Sequence, residues 1–351
     1  MHLLHDASFC VDSGTYKRYD GVLREEITMQ NISVYLNQRA ANTDYDFWKG
    51  KITRSLFRSN LNFRTPNGLA ELHENLKEDI QNNVDAVVSV GGDGTVNTLI
   101  QNLANKDIGL LVIPGGTAND LASELGMNEN IKKICQCIRN QQITNIDLIR
   151  INNRLMATNG GIGLGGEVAK KINTIRRKYP VFKKIMKFSG KSIYSFFVAQ
   201  ELLGVNFEEY NLEIESKEFS GNVKSSCILV NNQPMLAGTF NIAPKTNNND
   251  GKFNVSILTH DSRQKLIQCI LQVAKGNLPI DDPNFISFES EKISIKNLTP
   301  NKKLEFFGDG EILHSEESEV FDIEVEKDAL KVYSAHIGTD LVDLVNDVSL
   351  S

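Results

Sequence analysis

The chain has 351 residues, of which 40% are hydrophobic and 23% charged, and its formal net charge at pH 7 is −6. This length favours two domains with separate cores, and this composition excludes a disordered chain. The acidic balance argues against nonspecific nucleic-acid binding. The five cysteines show no zinc-type spacing, and no apolar run reaches the roughly 18 residues of a membrane span. A reduced, cytoplasmic setting is predicted.

The order of predicted elements changes along the chain. Phe9-Cys10-Val11 is a candidate short strand before Ser13-Gly14, and a mixed helical stretch is predicted over about residues 22–36. From residue 61 strands and helices alternate, beginning with a strand over 61–65 and apolar residues at helical spacing over 69–80. Such alternation predicts a parallel sheet with crossover helices.

Two glycine loops carry the strongest functional signal. The first is Gly91-Gly92-Asp93-Gly94-Thr95-Val96-Asn97, and the second is Pro114-Gly115-Gly116-Thr117-Ala118-Asn119-Asp120. Each follows a buried apolar run and precedes a helical pattern, which is the position where open α/β sheets bind phosphate at helix N-termini. A plain turn explains one such loop. Two such loops on adjacent strands favour a phosphate-binding site, in which the Asp93 carboxylate can bind a metal ion.

The two loops together resemble the paired nucleotide loops of the diacylglycerol kinase catalytic-domain family, which includes bacterial lipid kinases and the sphingosine and ceramide kinases. Phosphofructokinases and NAD kinases are similar only in the first loop. Family members usually open with a strand ending in Asn-Pro and a Ser-Gly turn, of which this sequence is expected to keep only Ser13-Gly14. Thr98 stands where family members commonly place Glu.

The second half of the chain has a different pattern of apolar residues. From residue 207 short runs of alternating apolar residues dominate, with one helical interlude over about 263–274, which predicts an antiparallel sandwich. The predicted fold class is an α/β N-terminal nucleotide-binding domain over residues 1–148 and a mainly antiparallel β-sandwich second domain over 149–329. The resemblance implies that the tail 330–351 returns to the first domain.

The resemblance also implies ATP and Mg²⁺ as cofactors. The nucleotide-binding residues that it implies lie at the end of one strand and in the two loops, namely Thr65, Gly91, Gly92, Asp93, Gly94, Thr95, Val96, Asn97, Thr117, Asn119 and Asp120. Asp93 is expected to act through Mg²⁺. For Asn119 and Asp120, bracing the loop as helix caps is as good an interpretation as a direct contact with the ligand.

A proton acceptor is also needed for phosphoryl transfer to a hydroxyl. The turn Asp309-Gly310-Glu311 follows Phe306-Phe307-Gly308 in the β-rich part of the chain. Such a turn is ordinarily a solvated surface feature. The lipid kinases carry a similar Asp-Gly-Glu, and the resemblance implies Glu311 as the base and Asp309 as a metal or proton-relay partner. Desolvation by the two phenylalanines is expected to raise a carboxylate pKa towards the working pH.

The turn over residues 247–252 is a third candidate site. An Asn-rich turn ending in Asp-Gly is ordinary hairpin chemistry. The bacterial lipid kinases hold a structural Mg²⁺ at a similar turn, and the resemblance implies the Asp250 carboxylate and the backbone carbonyls of Asn247 and Lys252 as its ligands.

A basic segment begins at Lys170 and ends at Lys191, with aromatic residues interleaved and only one sign of charge. A solvated helix face is the usual meaning, but such a segment also suits an anionic membrane surface. The sequence therefore predicts an ATP-dependent lipid kinase of phospholipid metabolism that acts on diacylglycerol or a related glycerolipid or sphingoid lipid at the inner membrane face. No nucleic-acid partner is expected, and a homodimer is left open. The alternatives are an NAD kinase and a catalytically weak lipid- or nucleotide-binding protein.

Overall fold

The computed structural model of the chain describes residues 29–37, 44–115, 119–127, 130–164, 208–236, 240–274, 277–314 and 320–336. In the N-terminal half strands and helices alternate, in the order β1 (Asn31–Leu36), α1 (Tyr45–Ser55), β2 (Asn60–Arg64), α2 (Leu69–Gln81), β3 (Ala86–Gly91), α3 (Asp93–Leu103), β4 (Gly109–Pro114), α4 (Asp120–Glu124) and α5 (Ile131–Arg139).

The remaining elements are nearly all strands. They are β5 (Ile143–Ile151), β6 (Arg154–Met156), β7 (Asn159–Gly163), β8 (Tyr210–Ser216), β9 (Ser220–Ser225), β10 (Cys227–Asn231), β11 (Met235–Leu236), β12 (Phe240–Asn241), β13 (Phe253–Leu258), α6 (Arg263–Ala274), β14 (Phe285–Ser290), β15 (Lys292–Asn297), β16 (Phe306–Gly308), β17 (Glu311–His314) and β18 (Val320–Tyr333). The helical interlude predicted over 263–274 is thus confirmed as α6.

The first four strands form a parallel sheet in the order β2-β1-β3-β4. Their carboxyl ends lie level, because Tyr35 pairs with Arg64 and Gly91 pairs with Pro114. Every residue of β3 is buried, as expected for a strand covered by helices on both faces. This register brings the segments after all four strands to one edge of the sheet.

The prediction of a helical stretch up to residue 36 is wrong at its C-terminal end. Residues 31–36 are the strand β1, not the end of a helical stretch, and β1 pairs in parallel with both β2 and β3. Ile32 and Val34 are fully buried there. The central position in the sheet decides the conformation of this short β-branched run. The predicted strand at Phe9 and the turn Ser13-Gly14 lie outside the described residues.

A buried ion pair ties α2 to the end of β2. Asp79 is 1% exposed and accepts a 2.6 Å hydrogen bond from the Tyr35 hydroxyl and a 2.7 Å bond from the Arg64 guanidinium. Burial, together with the Asp79 carboxylate, raises the pKa of Tyr35 far above its usual range, so that the phenol stays a donor. Arg64, the residue before Thr65, is thereby held in place.

The second half forms a β-sandwich. A sheet in the order β14-β13-β10-β7-β16-β17 faces the strands β18, β15, β8 and β9 of the larger, 10-stranded sheet. Val255 and Phe306 from the first sheet pack with Ile214 and Ile323 from the second in one apolar core. The predicted combination of a parallel α/β unit and an antiparallel sandwich is confirmed.

The strands β5 and β18 run through both halves of the molecule. They pair antiparallel along most of their lengths, with an irregularity between Glu326 and Leu330. Ile323 packs in the sandwich core, whereas Leu330 packs in the core of the parallel sheet. The predicted domain boundary at residue 148 falls within β5 and stays a prediction, and residues 337–351 of the tail lie outside the described ranges.

Within the described ranges, no helix combines the length and the apolar character needed to cross a bilayer.

Candidate active site

The two glycine loops meet at the carboxyl edge of the parallel sheet. The Gly115 amide donates a 3.0 Å hydrogen bond to the Gly91 carbonyl oxygen. The Asn119 amide donates a 3.3 Å bond to Oδ2 of Asp93. Asn119 has a φ of 56°, a left-handed conformation that asparagine tolerates better than most residues. The predicted pairing of the loops is therefore present, although Thr117 lies outside the described residues.

The first loop opens α3. Gly92 is the N-cap residue and provides no side-chain cap, and Asp93 is the first helical residue. The positive end of the helix dipole therefore faces the edge where the loops meet, as a phosphate-binding site requires. The Asn37 side chain, just after β1, donates a 2.7 Å hydrogen bond to the Thr95 hydroxyl. The chain thus has an asparagine directly after its first strand.

Asp93 is a half-buried carboxylate. Burial raises its pKa, hydrogen bonds from the Asn119 and Asp120 amides oppose the shift, and the nearby Asp309 carboxylate adds to it. A bound cation would relieve both the desolvation and the repulsion. Carboxylate oxygens are ligands that Mg²⁺ prefers, so this residue fits the predicted metal-linked role.

The Asp309-Gly310 turn brings the second half of the chain to α3. Both residues have positive φ, 50° and 79°, and they form the two-residue loop between β16 and β17. Positive φ at both positions is typical of a type I′ hairpin, which favours an Asp-Gly pair. The turn directs Glu311 to the first turn of α3, where a Cβ added at Gly94 would collide with Oε1 of Glu311. A side chain at residue 94 would force the Glu311 carboxylate to move away.

The Asp309 carboxylate holds the two halves together. It is 7% exposed and accepts hydrogen bonds of 2.8 Å from Nδ2 of Asn97, 2.8 Å from the Thr158 amide and 2.7 Å from the Thr158 hydroxyl. The Ala157 amide adds a bond of 3.1 Å. Because both oxygens are occupied by protein donors, the geometry favours a positioning role for Asp309 over a metal or relay role.

The expected desolvation of Glu311 by Phe306 is wrong. Phe306 turns into the sandwich core, with its ring centroid 5.7 Å from that of Phe321. Glu311 is exposed, whereas burial raises the pKa of Asp93 in the same site. The reason is the alternation of side chains along β16, which places Phe306 on the core side of the hairpin.

The other predicted nucleotide residues lie around the same edge. Thr65 follows β2 and is half-buried. Val96 is 6% exposed and belongs to the core. Asn97 faces Asp309 and the Leu155 carbonyl, which gives it a bridging contact inside the protein. The roles of these residues towards a nucleotide stay predictions.

The turn over residues 247–252 contacts a residue that sequence reasoning missed. Asp147, on β5, is 1% exposed and accepts hydrogen bonds from the Gly251 amide at 2.6 Å and the Asp328 amide at 2.8 Å. Its own amide donates to the Asn248 carbonyl oxygen at 2.6 Å. A lone acidic residue inside an apolar strand pattern, Ile146-Asp147-Leu148, was the available signal.

Asp250 itself is exposed, and its side chain accepts a local bond from the Lys252 amide at 3.0 Å. The described residues contain no group of three or more His, Cys, Asp or Glu side chains that could hold a metal. The predicted Mg²⁺ set needs only one carboxylate and two carbonyls, and it stays a prediction. The basic segment from Lys170 to Lys191 lies outside the described residues.

Replacing Asp147 by alanine should destabilise the fold. The change leaves the buried Gly251 amide without its acceptor, at about 1–3 kcal/mol, and also removes the acceptor of the more exposed Asp328 amide. Thermal unfolding should therefore begin several degrees lower. Asp250→Ala is the matched control, and its midpoint should stay close to that of the parent because Asp250 is exposed. Equal midpoints for the two variants would contradict the bracing role of Asp147.

Comparisons with known proteins agree with this arrangement. The diacylglycerol kinase catalytic domain model matches residues 31–151, and the YegS C-terminal NAD kinase beta sandwich-like domain model matches residues 163–334. A diacylglycerol kinase of Bacillus subtilis (strain 168) is 26% identical over 238 residues, which cover 67% of this chain and 74% of that protein. A relative from Staphylococcus haemolyticus (strain JCSC1435) is 28% identical over 191 residues, and the match spans 53% of this chain and 57% of that protein.

The fold has relatives among solved structures. The crystal structure of a diacylglycerol kinase from Bacillus anthracis str. Sterne superposes with a TM-score of 0.65 at 18% identity, covering 88% of this chain and 97% of that chain. Residues 31–151 therefore belong to the diacylglycerol kinase catalytic domain family, and residues 163–334 belong to the family of the YegS C-terminal domain. The resemblance inferred from the paired glycine loops is confirmed.

Proposed function

We propose that the protein is an ATP-dependent lipid kinase that transfers the γ-phosphoryl group of ATP to a lipid hydroxyl. The observation that carries the proposal is the approach of Glu311 to Gly94 in the first turn of α3. A carboxylate from the sandwich meets the helix N-terminus suited to phosphate, and Asp93 lies one residue away. The names of the relatives, among them a diacylglycerol kinase, support the same chemistry.

Each residue of the site has a role in this proposal. The backbone of the two glycine loops holds the ATP phosphates, and Asn37 fixes the Thr95 hydroxyl among them. Asp93 holds Mg²⁺, which when bound neutralises charge on the phosphates. Glu311 accepts the proton of the attacking hydroxyl, and its exposure leaves it accessible to an acceptor. Asp309 positions Glu311 by fixing the hairpin to Asn97 and Thr158.

The acceptor is diacylglycerol or a related glycerolipid or sphingoid lipid, presented by a membrane. Peripheral binding to an anionic membrane through the segment from Lys170 to Lys191 belongs to the same proposal. The family membership supports a lipid acceptor over NAD as the substrate. The missing Asn-Pro and Thr98 are the departures from the family pattern that would accompany weak catalysis.

The test is a phosphoryl-transfer assay with an acceptor panel. Protein, labelled ATP and Mg²⁺ are incubated with diacylglycerol, a sphingoid base, a ceramide and NAD in parallel. We expect label in a glycerolipid or sphingoid product, none in NAD, and loss of product when EDTA removes the metal. Labelled NADP would establish the NAD kinase alternative. Tight ATP binding without any labelled product would establish a binding protein.

A further inference from the structure

The surface formed by α1 with its following turn and by α5 is basic in an otherwise acidic chain. We call it the α1–α5 face. Residues 44–58 contain two acidic and four basic side chains, which are Asp44, Asp46, Lys49, Lys51, Arg54 and Arg58. α5 contains Lys132, Lys133 and Arg139 and no acidic residue. The net charge of the whole chain is −6, so this face stands out from the rest of the sequence.

The two helices lie side by side. α1 and α5 contact each other, and the Ser55 hydroxyl of α1 and the Arg139 guanidinium both act to lower the pKa of the Cys135 thiol of α5, which burial raises overall. Ser55 and Ile52 form the buried side of α1. The basic residues of both helices therefore belong to one continuous layer outside the parallel sheet.

Large aromatic side chains are exposed on the same face. Phe47 is 49% exposed and Phe57 is 64% exposed. The Lys51 ammonium lies 5.6 Å from the centroid of the Phe47 ring, and the Arg58 guanidinium lies 5.3 Å from that of Phe57. Phe47, Lys51 and Arg54 recur at helical spacing and share one side of α1. The α1–α5 face therefore presents exposed apolar rings and positive charges next to one another.

We propose that the α1–α5 face docks on an anionic lipid bilayer. Exposed aromatic rings are favoured at the boundary between head groups and acyl chains, and basic side chains are attracted to anionic head groups. Lys51, Arg54 and Arg58 make no ion pair within the described part of the chain, so their charge is not neutralised there. The choice of a bilayer over a nucleic acid rests on the proposed function, in which the acceptor is a membrane lipid.

The tryptophan of the chain makes the proposal directly testable. Trp48 is the single tryptophan, it lies in α1, and its ring centroid is 5.7 Å from that of Phe47. Its fluorescence in the full chain is measured with vesicles of phosphatidylcholine and phosphatidylglycerol whose acyl chains carry bromine, which quenches nearby tryptophan. We expect quenching that requires phosphatidylglycerol and decreases as salt rises, because the attraction is screened within about 10 Å at 0.1 M salt.

Two variants separate the contributions of the face. Lys51→Gln, Arg54→Gln and Arg58→Gln together should weaken vesicle binding by roughly 10- to 100-fold, since each cation near an anionic surface contributes to binding. Phe47→Ala with Phe57→Ala should weaken binding at high salt as well. The matched control removes the same charge from the sandwich surface by changing Lys292, Lys296 and Lys302 to Gln, and it should bind within about twofold of the parent.

The outcomes are distinct. Vesicle co-sedimentation without Trp48 quenching would place the docking surface elsewhere and overturn the proposal, as would equal losses in the triple variant and its control. Binding to an oligonucleotide but not to vesicles would also overturn it. Docking is measured without ATP, so the two proposals can fail separately. Quenching of Trp48 in a protein that phosphorylates no lipid would support docking through this face and refute the proposed function. Lipid phosphorylation by a protein whose Trp48 stays unquenched would support the proposed function and refute docking through this face.

Discussion

Glu311→Gln should lower turnover by roughly 100- to 10,000-fold while ATP affinity stays close to that of the parent, because a positioned base typically contributes that factor. The amide keeps the shape of the side chain at Gly94 but cannot accept the proton of the acceptor hydroxyl. Steady-state turnover on a lipid acceptor and ATP affinity by calorimetry measure the two quantities. Thermal stability should also be unchanged, since Glu311 is exposed.

Two further variants serve as comparisons for the Glu311→Gln result. Glu215→Gln changes an exposed glutamate on the far sheet of the sandwich and should leave turnover unaltered. Asp309→Asn should instead lower the unfolding temperature, because an amide cannot accept all the bonds that the Asp309 carboxylate receives from Asn97, Ala157 and Thr158. A Glu311→Gln variant that loses stability and ATP binding together with turnover would assign Glu311 a structural role.

Asp93→Asn should remove activity and yet stabilise the metal-free fold. Loss of an electrostatic contributor to phosphoryl transfer costs on the order of 100-fold or more in rate. The stability effect follows from the raised pKa of Asp93, which arises mainly from burial. Ionising this carboxylate costs more in the folded than in the unfolded state, so the parent loses stability as pH rises from the unfolded pKa through the folded pKa.

The pH dependence of the unfolding temperature provides a second test of the role of Asp93. In EDTA, the unfolding temperature of Asp93→Asn should exceed that of the parent at neutral pH, and the difference should shrink as pH falls and Asp93 becomes protonated. Asp261→Asn, which changes an exposed carboxylate, should show no such pH-dependent gain. A folded Asp93→Asn enzyme with near-parental turnover would remove Asp93 from the mechanism.

The sequence by itself determined the features that depend on local pattern. The strands that precede the two glycine loops and the helix α6 follow from apolar runs, glycine turns and helical spacing, and the structure contains all three elements where the sequence predicts them. The Asp309-Gly310 pair likewise encodes its hairpin, because positive φ at both positions suits these residue types. These signals lie within a few residues of one another, so no knowledge of the rest of the chain is needed.

Tertiary structure alone decided the rest. Residues 31–36 become a strand because they lie between β2 and β3, a partnership that the short run itself does not reveal. Glu311 meets Gly94, and Asp309 meets Asn97, across most of the length of the chain. Asp147 receives the Gly251 and Asp328 amides from two distant segments. Burial of a carboxylate and its contacts depend on how the two cores pack, which local propensity does not encode.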